Sequence, residues 1–437
     1  MTTSSNGDYI PINVEGYHRR DIIDRENAVL WPKVWLIACR VEELEKPGDF
    51  VTFDVGNESF LLVSTQEGIK VYFNVCQHRG RRLKGGCGNT GKHIRCPFHG
   101  WRWDLDGRIA HVTDEDDWQG SANCEKENLA LQEVRFQLWG GWVWITMDPD
   151  IEPLLEYLGP IPDIFKHHEL DKCRRTWHQT VVFPANWKLA LDAFNEGYHV
   201  EATHSQIARY GRPKSLSKAF GKHGWFGYPG YMQKATTQGD IRIDYRKLLI
   251  QREHERDEWL HALVSEYALR AVDRLLDEVP EWAPYSEVVA AYARMHREEA
   301  IKAGAPWPMQ LTGEDMERAG TCWHVFPNTI FLPSVDGALW YRARPNGDDP
   351  DTCLYDIWWL QRYAPGEEPT VTNEFYPTVE SFKGKNPFLE QDFSNLAAVQ
   401  QGVKSRGFKG ARTSPVQEVA ISNFHQTLAT YLDSGTL

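Results

Sequence analysis

Two short segments of the chain each place a cysteine beside a histidine, and no other feature restricts its fold as much. The first is Cys76-Gln-His78, and the second, after seventeen intervening residues, is Cys96-Pro-Phe-His99. Two thiolates and two imidazoles can together bind a metal centre. The segments are therefore either two loops that meet around one centre or two unrelated pairs of core residues.

The order of the four residues favours an iron–sulfur cluster. A zinc finger of the common type groups its cysteines first and its histidines last, whereas here each segment supplies one of each. This order suits a [2Fe–2S] cluster of the Rieske kind, in which two cysteines bind one iron and two histidines bind the other. Nearby glycines allow tight loops whose N–H groups face the sulfurs: Gly80, Gly85, Gly86 and Gly100. Zinc and a coincidence of core residues stay open as alternatives.

A second metal motif follows about a hundred residues later, at the end of a predicted helix that begins near Asn186. Glu196 and His199 are three residues apart, on one helical face. His204 would lie about 140° from His199 on an ideal helix, so the helix must end or unwind between them. Two histidines and a carboxylate form the facial triad of non-haem Fe(II) oxygenases. Alone, such a motif more often reflects ordinary surface or core histidines; beside a Rieske-type cluster motif, the iron site is favoured.

Length and charge narrow the class of protein. With 437 residues the chain predicts two or three domains, and its net charge of −13 (48 Lys and Arg, 61 Asp and Glu) argues against nucleic acid as a partner. The first thirty residues lack the apolar run of a signal peptide, and no stretch reaches the roughly 18 apolar residues of a membrane span. We therefore expect a cytoplasmic protein without a membrane segment, whose eight cysteines are reduced.

The pattern of apolar and polar residues along the sequence predicts two domains after an N-terminal arm. Residues 1–33 form the arm with a short helix, and residues 34–150 form an all-β domain with short runs such as "DFVTFDV", "SFLLVST" and "GGWVWITM". Residues 151–437 mix strands such as "RRTWHQTVVF" with amphipathic helices, notably over 250–305. This second domain is predicted to be α+β, an antiparallel sheet covered by helices.

Over most of its length the chain resembles the large (α) subunit of Rieske non-haem iron aromatic-ring-hydroxylating oxygenases. "CQHRGRRL…CPFHGWRWDLDGRI" is similar to their Rieske domain, and "NWKLALDAFNEGYHVEATH" is similar to their catalytic domain. Respiratory Rieske proteins typically carry two further loop cysteines, but Phe98 stands at one of those positions. The resemblance implies an all-β Rieske domain and a catalytic domain of the helix-grip type.

The resemblance also implies roles for individual residues. The expected [2Fe–2S] ligands are Cys76, His78, Cys96 and His99, and the expected mononuclear iron ligands are His199, His204 and Asp392, with Glu390 as the alternative to Asp392. Glu196 would connect the iron to the cluster, by bridging His199 of its own chain and His99 of the partner subunit. The family usually has Asn after the acid that matches Asp192, where this chain has Ala193, so no role is carried over to that position.

The implied function is that of a terminal oxygenase component. It would use O₂ and electrons from a separate NAD(P)H-dependent reductase, with or without a ferredoxin, to hydroxylate or dihydroxylate an aromatic or other apolar substrate. Oxidative N- or O-dealkylation on the same scaffold is the alternative, and an electron carrier without oxygenase activity is the alternative of a different class. Residues 205–310 are expected to line or cover the substrate pocket; for the Gly- and aromatic-rich stretch "KAFGKHGWFGYPGYMQ", a packed loop under the helices is an equal alternative. The expected assembly is a homotrimer (α3), with α3β3 as the second choice.

Overall fold

The computed structural model describes residues 12–121, 124–208, 214–229 and 243–434. Their contacts divide the chain into two compact units. The small unit is Asp24–Tyr157, and the large unit combines the residues up to Ile23 with those from Leu158 onward. Among the described residues, no helix is both long enough and apolar enough to cross a membrane.

The small unit is built from short antiparallel strands. Its described strands are β1 Leu36–Arg40, β2 Asp49–Val55, β3 Glu58–Thr65, β4 Gly68–Phe73, β5 Cys87–Asn89, β6 His93–Arg95, β7 Arg102–Asp104, β8 Ile109–His111, β9 Arg135–Trp139 and β10 Trp142–Thr146. They form three sheets with the orders β1-β10-β9, β4-β3-β2-β5 and β6-β7-β8. Because a sheet face must be covered by apolar side chains, the sheets enclose a core that includes Leu61, Ile94 and Trp103. The all-β prediction for this part is confirmed.

The large unit is organised around one eight-stranded sheet. Its strands are β11 Arg174–Phe183, β12 Leu216–Phe220, β13 His223–Gly227, β14 Cys322–Val325, β15 Thr329–Pro333, β16 Gly337–Asn346, β17 Asp349–Gln361 and β18 Asn373–Tyr376. Their order is β12-β13-β14-β15-β16-β17-β11-β18. All neighbours are antiparallel except β11 and β18, which are parallel. The predicted antiparallel sheet is therefore present, with one parallel pair at its edge.

Helices cover this sheet and connect its strands. The described α-helices of the chain are α1 Arg20–Arg25, α2 Leu154–Tyr157, α3 Ile161–Ile164, α4 Trp187–Phe194, α5 Val200–Thr203, α6 Ser205–Ala208, α7 Tyr245–Leu260, α8 Glu266–Asp273, α9 Leu275–Glu278, α10 Tyr285–Lys302, α11 Gly313–Ala319, α12 Val379–Phe382, α13 Pro387–Gly402 and α14 Val419–Ser434. Helix α4 packs on β16 and β17, and α14 packs on β12 and β13. The predicted helical segment 250–305 corresponds to α7–α10, which share a separate apolar core around Leu249, Val272 and Val288.

Candidate metal centres

The two cysteine–histidine loops of the small unit have the same backbone hydrogen bonds. In each loop the cysteine N–H donates to the carbonyl five residues later, over 2.8 Å for Cys76 and 2.9 Å for Cys96. The cysteine carbonyl accepts the N–H of the glycine four residues later, over 2.9 Å from Gly80 and 3.1 Å from Gly100. Both glycines have positive φ, +72° and +82°, a conformation that side chains with a Cβ rarely adopt. The glycines therefore close both loops.

The loops bring thiol to thiol and imidazole to imidazole. Cys76 and Cys96 are 3% and 1% exposed; burial raises the pKa of the Cys76 thiol, and its interaction with the Cys96 thiol raises this pKa further. The ring centroids of His78 and His99 are 4.7 Å apart, and Nδ1 of His78 is buried without a hydrogen-bond partner among the described residues. A cluster with two thiolates on one iron and two imidazoles on the other requires the two cysteines to lie together and the two histidines to lie together. The four residues fit a Rieske [2Fe–2S] cluster.

The two imidazoles have different surroundings. Trp101 stacks on the ring of His78, at 4.7 Å and 11°, and Trp118 meets it edge-on at 5.8 Å. Desolvation, with the charge of His99, lowers the pKa of His78. His99 instead lies against Phe98, with ring centroids 3.8 Å apart, and the Phe98 side chain is 58% exposed. His99 is thus the imidazole beside exposed apolar surface.

In the large unit, helix α4 begins where the sequence predicts and ends earlier. The Asn186 side chain caps it by accepting the N–H of Lys188 over 3.2 Å. The helix ends at Phe194, so the expectation that Glu196 and His199 share a helical face is wrong. The reason is local: the Glu196 carboxylate accepts the N–H groups of Tyr198 and, over 3.0 Å, of His199. A side chain that binds the following backbone N–H groups favours a cap over a continuing helix.

His199 and His204 flank the short helix α5, the first before its start and the second after its end. The interruption of the helix that the spacing of His199 and His204 requires therefore lies at the two ends of α5. The donor atoms of His199, His204 and Asp392 all lie within 4.8 Å of one another. Oδ1 of Asp392 is 2.9 Å from Nε2 of His204 and 3.5 Å from Nε2 of His199.

These three side chains fit a mononuclear iron site. His204 is 1% exposed and Asp392 is 6% exposed. Nε2 of His204 is close to Asp392 but lacks hydrogen-bond geometry, as expected for donor atoms that converge on a common point. Two imidazoles and one carboxylate with open positions are the donor set of non-haem iron oxygenases. Glu390, the alternative considered from the sequence, accepts the N–H of Gly384 over 2.6 Å instead.

Each iron-binding histidine candidate has its second nitrogen occupied. Nδ1 of His199 is 2.6 Å from Oε1 of Glu196, and Nδ1 of His204 is 2.7 Å from Oε1 of Gln391. Burial lowers the pKa of His199, but the hydrogen bond and charge of Glu196, together with Asp392, outweigh it and raise that pKa overall. The sequence predicts a role for Glu196 but none for Gln391, because a neutral amide carries no motif. Its position next to Asp392 is the only signal that could have indicated it.

Asp192 connects helix α4 to two distant segments. Tyr17 donates its hydroxyl hydrogen to the Asp192 carboxylate, and Nε2 of His425 on α14 lies 2.9 Å from the same group. Asp192 is thereby held from both sides, one turn before Glu196. The contacts assign this residue an anchoring role, which the sequence did not indicate.

Two family models match the chain. Residues 34–125 match the Rieske [2Fe–2S] domain, and residues 168–434 match the catalytic domain of the ring-hydroxylating α subunit. The expected cofactors, a Rieske [2Fe–2S] cluster and a mononuclear iron, are those of proteins with this pair of domains.

Curated relatives include oxygenases with different substrates. The oxygenase subunit of carnitine monooxygenase from Escherichia coli (strain K12) is 32% identical over 209 residues, 44% of this chain and 54% of that protein. The large oxygenase component of the naphthalene 1,2-dioxygenase system from Pseudomonas putida is 30% identical over 199 residues, 44% of each. The chain thus spans about half the length of the curated relatives it matches.

Solved structures share the fold across nearly the whole chain. A quaternary ammonium Rieske monooxygenase in complex with L-carnitine has a TM-score of 0.66 at 19% identity, covering 98% of this chain and 97% of that one. Naphthalene 1,2-dioxygenase from Rhodococcus sp. bound to indole has a TM-score of 0.64 at 18% identity, covering 98% and 95%. At these identities the likeness concerns the fold, and it confirms the predicted fold class.

Proposed function

The chain belongs to the family of ring-hydroxylating α subunits, and on that premise we propose that it is the terminal oxygenase component of a multicomponent Rieske oxygenase. The observation that carries the proposal is the convergence of His199, His204 and Asp392 in a chain that also has a Rieske domain. An electron carrier has no use for a second, oxygenase-type donor set. We propose the domain organisation of the family: an arm (1–33), a Rieske domain (34–150) and a catalytic domain (151–437).

The proposed ligands divide between the two units. Cys76 and Cys96 would bind one iron of the cluster and His78 and His99 the other, a role supported by the closeness of thiol to thiol and ring to ring. His199, His204 and Asp392 would bind the mononuclear iron. When bound, the cluster supplies single electrons and the mononuclear iron is where O₂ is activated.

Glu196 prepares one of the two histidines of the mononuclear site. The Glu196 carboxylate, 2.6 Å from Nδ1 of His199, holds the proton on that nitrogen and leaves Nε2 for the metal. Hydrogen-bonded carboxylates of this kind fix the ring orientation and tautomer of metal ligands. In the proposed trimer Glu196 also contacts His99 of the partner subunit, which would connect cluster and iron. The exposed Phe98 beside His99 supports a contact surface there.

The substrate proposal has two forms. Hydroxylation or dihydroxylation of an aromatic or other apolar compound agrees with the naphthalene and biphenyl dioxygenases among the relatives. The alternative, oxidative N- or O-dealkylation by a monooxygenase, agrees with the carnitine and glycine betaine monooxygenases among them. A separate reductase would supply the electrons in both forms, and we propose a homotrimer in the cytoplasm.

Substrate-dependent O₂ uptake tests the proposal. Purified protein with NADH and a surrogate reductase would be given naphthalene, biphenyl, carnitine and glycine betaine, with ¹⁸O₂ to follow oxygen into product. We expect uptake with at least one class, and its loss in Asp392→Asn. Glu390→Gln is the matched control, because Glu390 binds the backbone of Gly384 and should leave uptake unchanged. An Asp392→Asn protein that still incorporates ¹⁸O would contradict the assigned site.

A further inference from the structure

One face of helix α13 surrounds His204. Phe388, Gln391 and Asp392 are spaced i, i+3 and i+4 along this helix, so their side chains lie on the same side. The Phe388 ring stacks on the imidazole of His204, at 3.8 Å between centroids and 10° between planes. Gln391 meets Nδ1 of His204 over 2.7 Å, and Asp392 meets Nε2 over 2.9 Å. The helix thus contacts one ring face and both ring nitrogens.

The orientation of the Gln391 amide follows from a second contact. Oε1 of Gln391 also accepts the Nε2–H of Gln206 over 2.7 Å, and Nε2 of Gln391 faces Oε1 of Gln206 at 3.4 Å. Rotating the Gln391 amide by half a turn would place two NH₂ groups against each other. With the Gln206 amide oriented as it is in the structure, the Gln391 oxygen faces His204, which then carries its proton on Nδ1 to donate this bond. The unprotonated nitrogen is then Nε2, the atom beside Asp392.

We infer that Gln391, oriented by Gln206, is a positioning residue for the mononuclear iron site: it fixes the tautomer and ring plane of His204 so that Nε2 faces the metal. This inference rests on the proposed function, since it presumes an iron at His199, His204 and Asp392. A partner of this kind on a metal-binding histidine typically contributes about 10- to 100-fold in metal affinity or activity.

The partner of His204 differs in charge from that of His199. His199 has the carboxylate of Glu196, whereas His204 has a neutral amide. Asp392, the next residue, is nearly buried, so a second carboxylate at position 391 would add a like charge close to it. An amide accepts the Nδ1 proton without that repulsion.

Measuring Fe(II) affinity distinguishes a positioning role of Gln391 from a role in packing alone. Gln391→Met keeps the length of the side chain and removes its acceptor, whereas Gln391→Glu keeps an acceptor. Gln401→Met is the matched control, because Gln401 is exposed on the same helix. We expect Gln391→Met to weaken anaerobic Fe(II) binding by about 10- to 100-fold and to change the visible spectrum of the Co(II)-substituted site. Gln401→Met should bind Fe(II) as tightly as the wild type, and Gln391→Glu should bind it more tightly than Gln391→Met, because it keeps an acceptor for the Nδ1 proton.

The possible results are distinct. A Gln391→Met protein with wild-type Fe(II) affinity and an unchanged Co(II) spectrum would overturn the inference and leave the proposed function standing. A wild-type protein that binds no Fe(II) at this site would instead overturn the proposed function. If Gln391→Met does not fold, Gln206→Met decides, because it removes only the donor that orients the amide: we expect weaker Fe(II) binding, and an unchanged affinity would overturn the inference.

Discussion

Asn386 joins the end of helix α7 to the start of helix α13, which carries Asp392. Its side-chain oxygen accepts the N–H of Leu389 over 3.0 Å and so caps α13. Its Nδ2 donates to the carbonyl of Leu260, the last residue of α7. Asn386 is 1% exposed. This single side chain therefore couples the helical segment α7–α10, to which the sequence assigned no role, to the helix of the mononuclear site.

The cost of removing Asn386 can be divided into two parts. Loss of an N-cap costs about 1 kcal/mol, and a buried carbonyl left without a donor costs about 1–3 kcal/mol, since Leu260 is itself buried. We therefore expect Asn386→Ala to reduce the free energy of unfolding by about 2–4 kcal/mol. Asn386→Ser retains a cap but lacks the NH₂ group, so it should lose about 1–3 kcal/mol.

Urea unfolding would measure these losses in the large unit. Hydrogen exchange of the α7 and α13 amides would show where they occur. Thr378→Ala is the control, because Thr378 caps α12 through Ser381 at an exposed position and should cost only about 1 kcal/mol. Hydrogen exchange should become faster at the end of α7 in both Asn386 variants and should stay unchanged there in Thr378→Ala. If Asn386→Ser matches the wild type while Asn386→Ala matches Thr378→Ala, the link to Leu260 contributes nothing and the reasoning is refuted.

Three further results are expected. Glu196→Gln should retain both metals, by iron analysis and EPR, but lose most turnover; an active variant would refute the bridging role. Cys96→Ser should lose the Rieske EPR signal while the mononuclear site still binds Fe(II), because its donors lie in the other unit; loss of both would argue against separate centres. Burial lowers the pKa of His324 to about 4, so its contribution to stability is complete above about pH 6.5 and declines as the pH falls towards 4. The loss of stability at pH 5 is about 2 kcal/mol. In urea unfolding, His324→Gln should therefore lose about 2 kcal/mol less than the wild type between pH 7 and pH 5. A pH profile identical to that of the wild type would contradict this.

The sequence was most informative where residue type and spacing report chemistry directly. The Cys/His order of the two loops and the Glu/His/His motif indicated both metal centres, and short apolar runs indicated the strands. The end of α4 at Phe194 was not predictable from periodicity, because the Glu196 carboxylate competes locally for backbone N–H groups. Asp392 could be selected only through the family resemblance, since its approach to His204 depends on long-range packing.

Two further aspects could not be read from the sequence. Gln391 and Gln206 form a mutual amide pair, and neutral amides have neither charge nor periodicity to indicate such a pairing. The predicted pocket segment 205–310 is described except for residues 209–213 and 230–242, so the last four residues of "GWFGYPGYMQ" lie outside the described residues. The substrate therefore has to come from the assay panel.

The anchoring of Asp192 has a consequence for the order in which the protein matures. Its partner Tyr17 is 175 residues earlier in the chain and its partner His425 is 233 residues later. Contacts of such high sequence separation form slowly, because long loops must close first. On a ribosome, α4 emerges well before α14 exists, so its anchor is completed only after residue 425 has been made. We expect iron to enter the mononuclear site only after residue 425 has left the ribosome, when α14 can complete the anchor of α4.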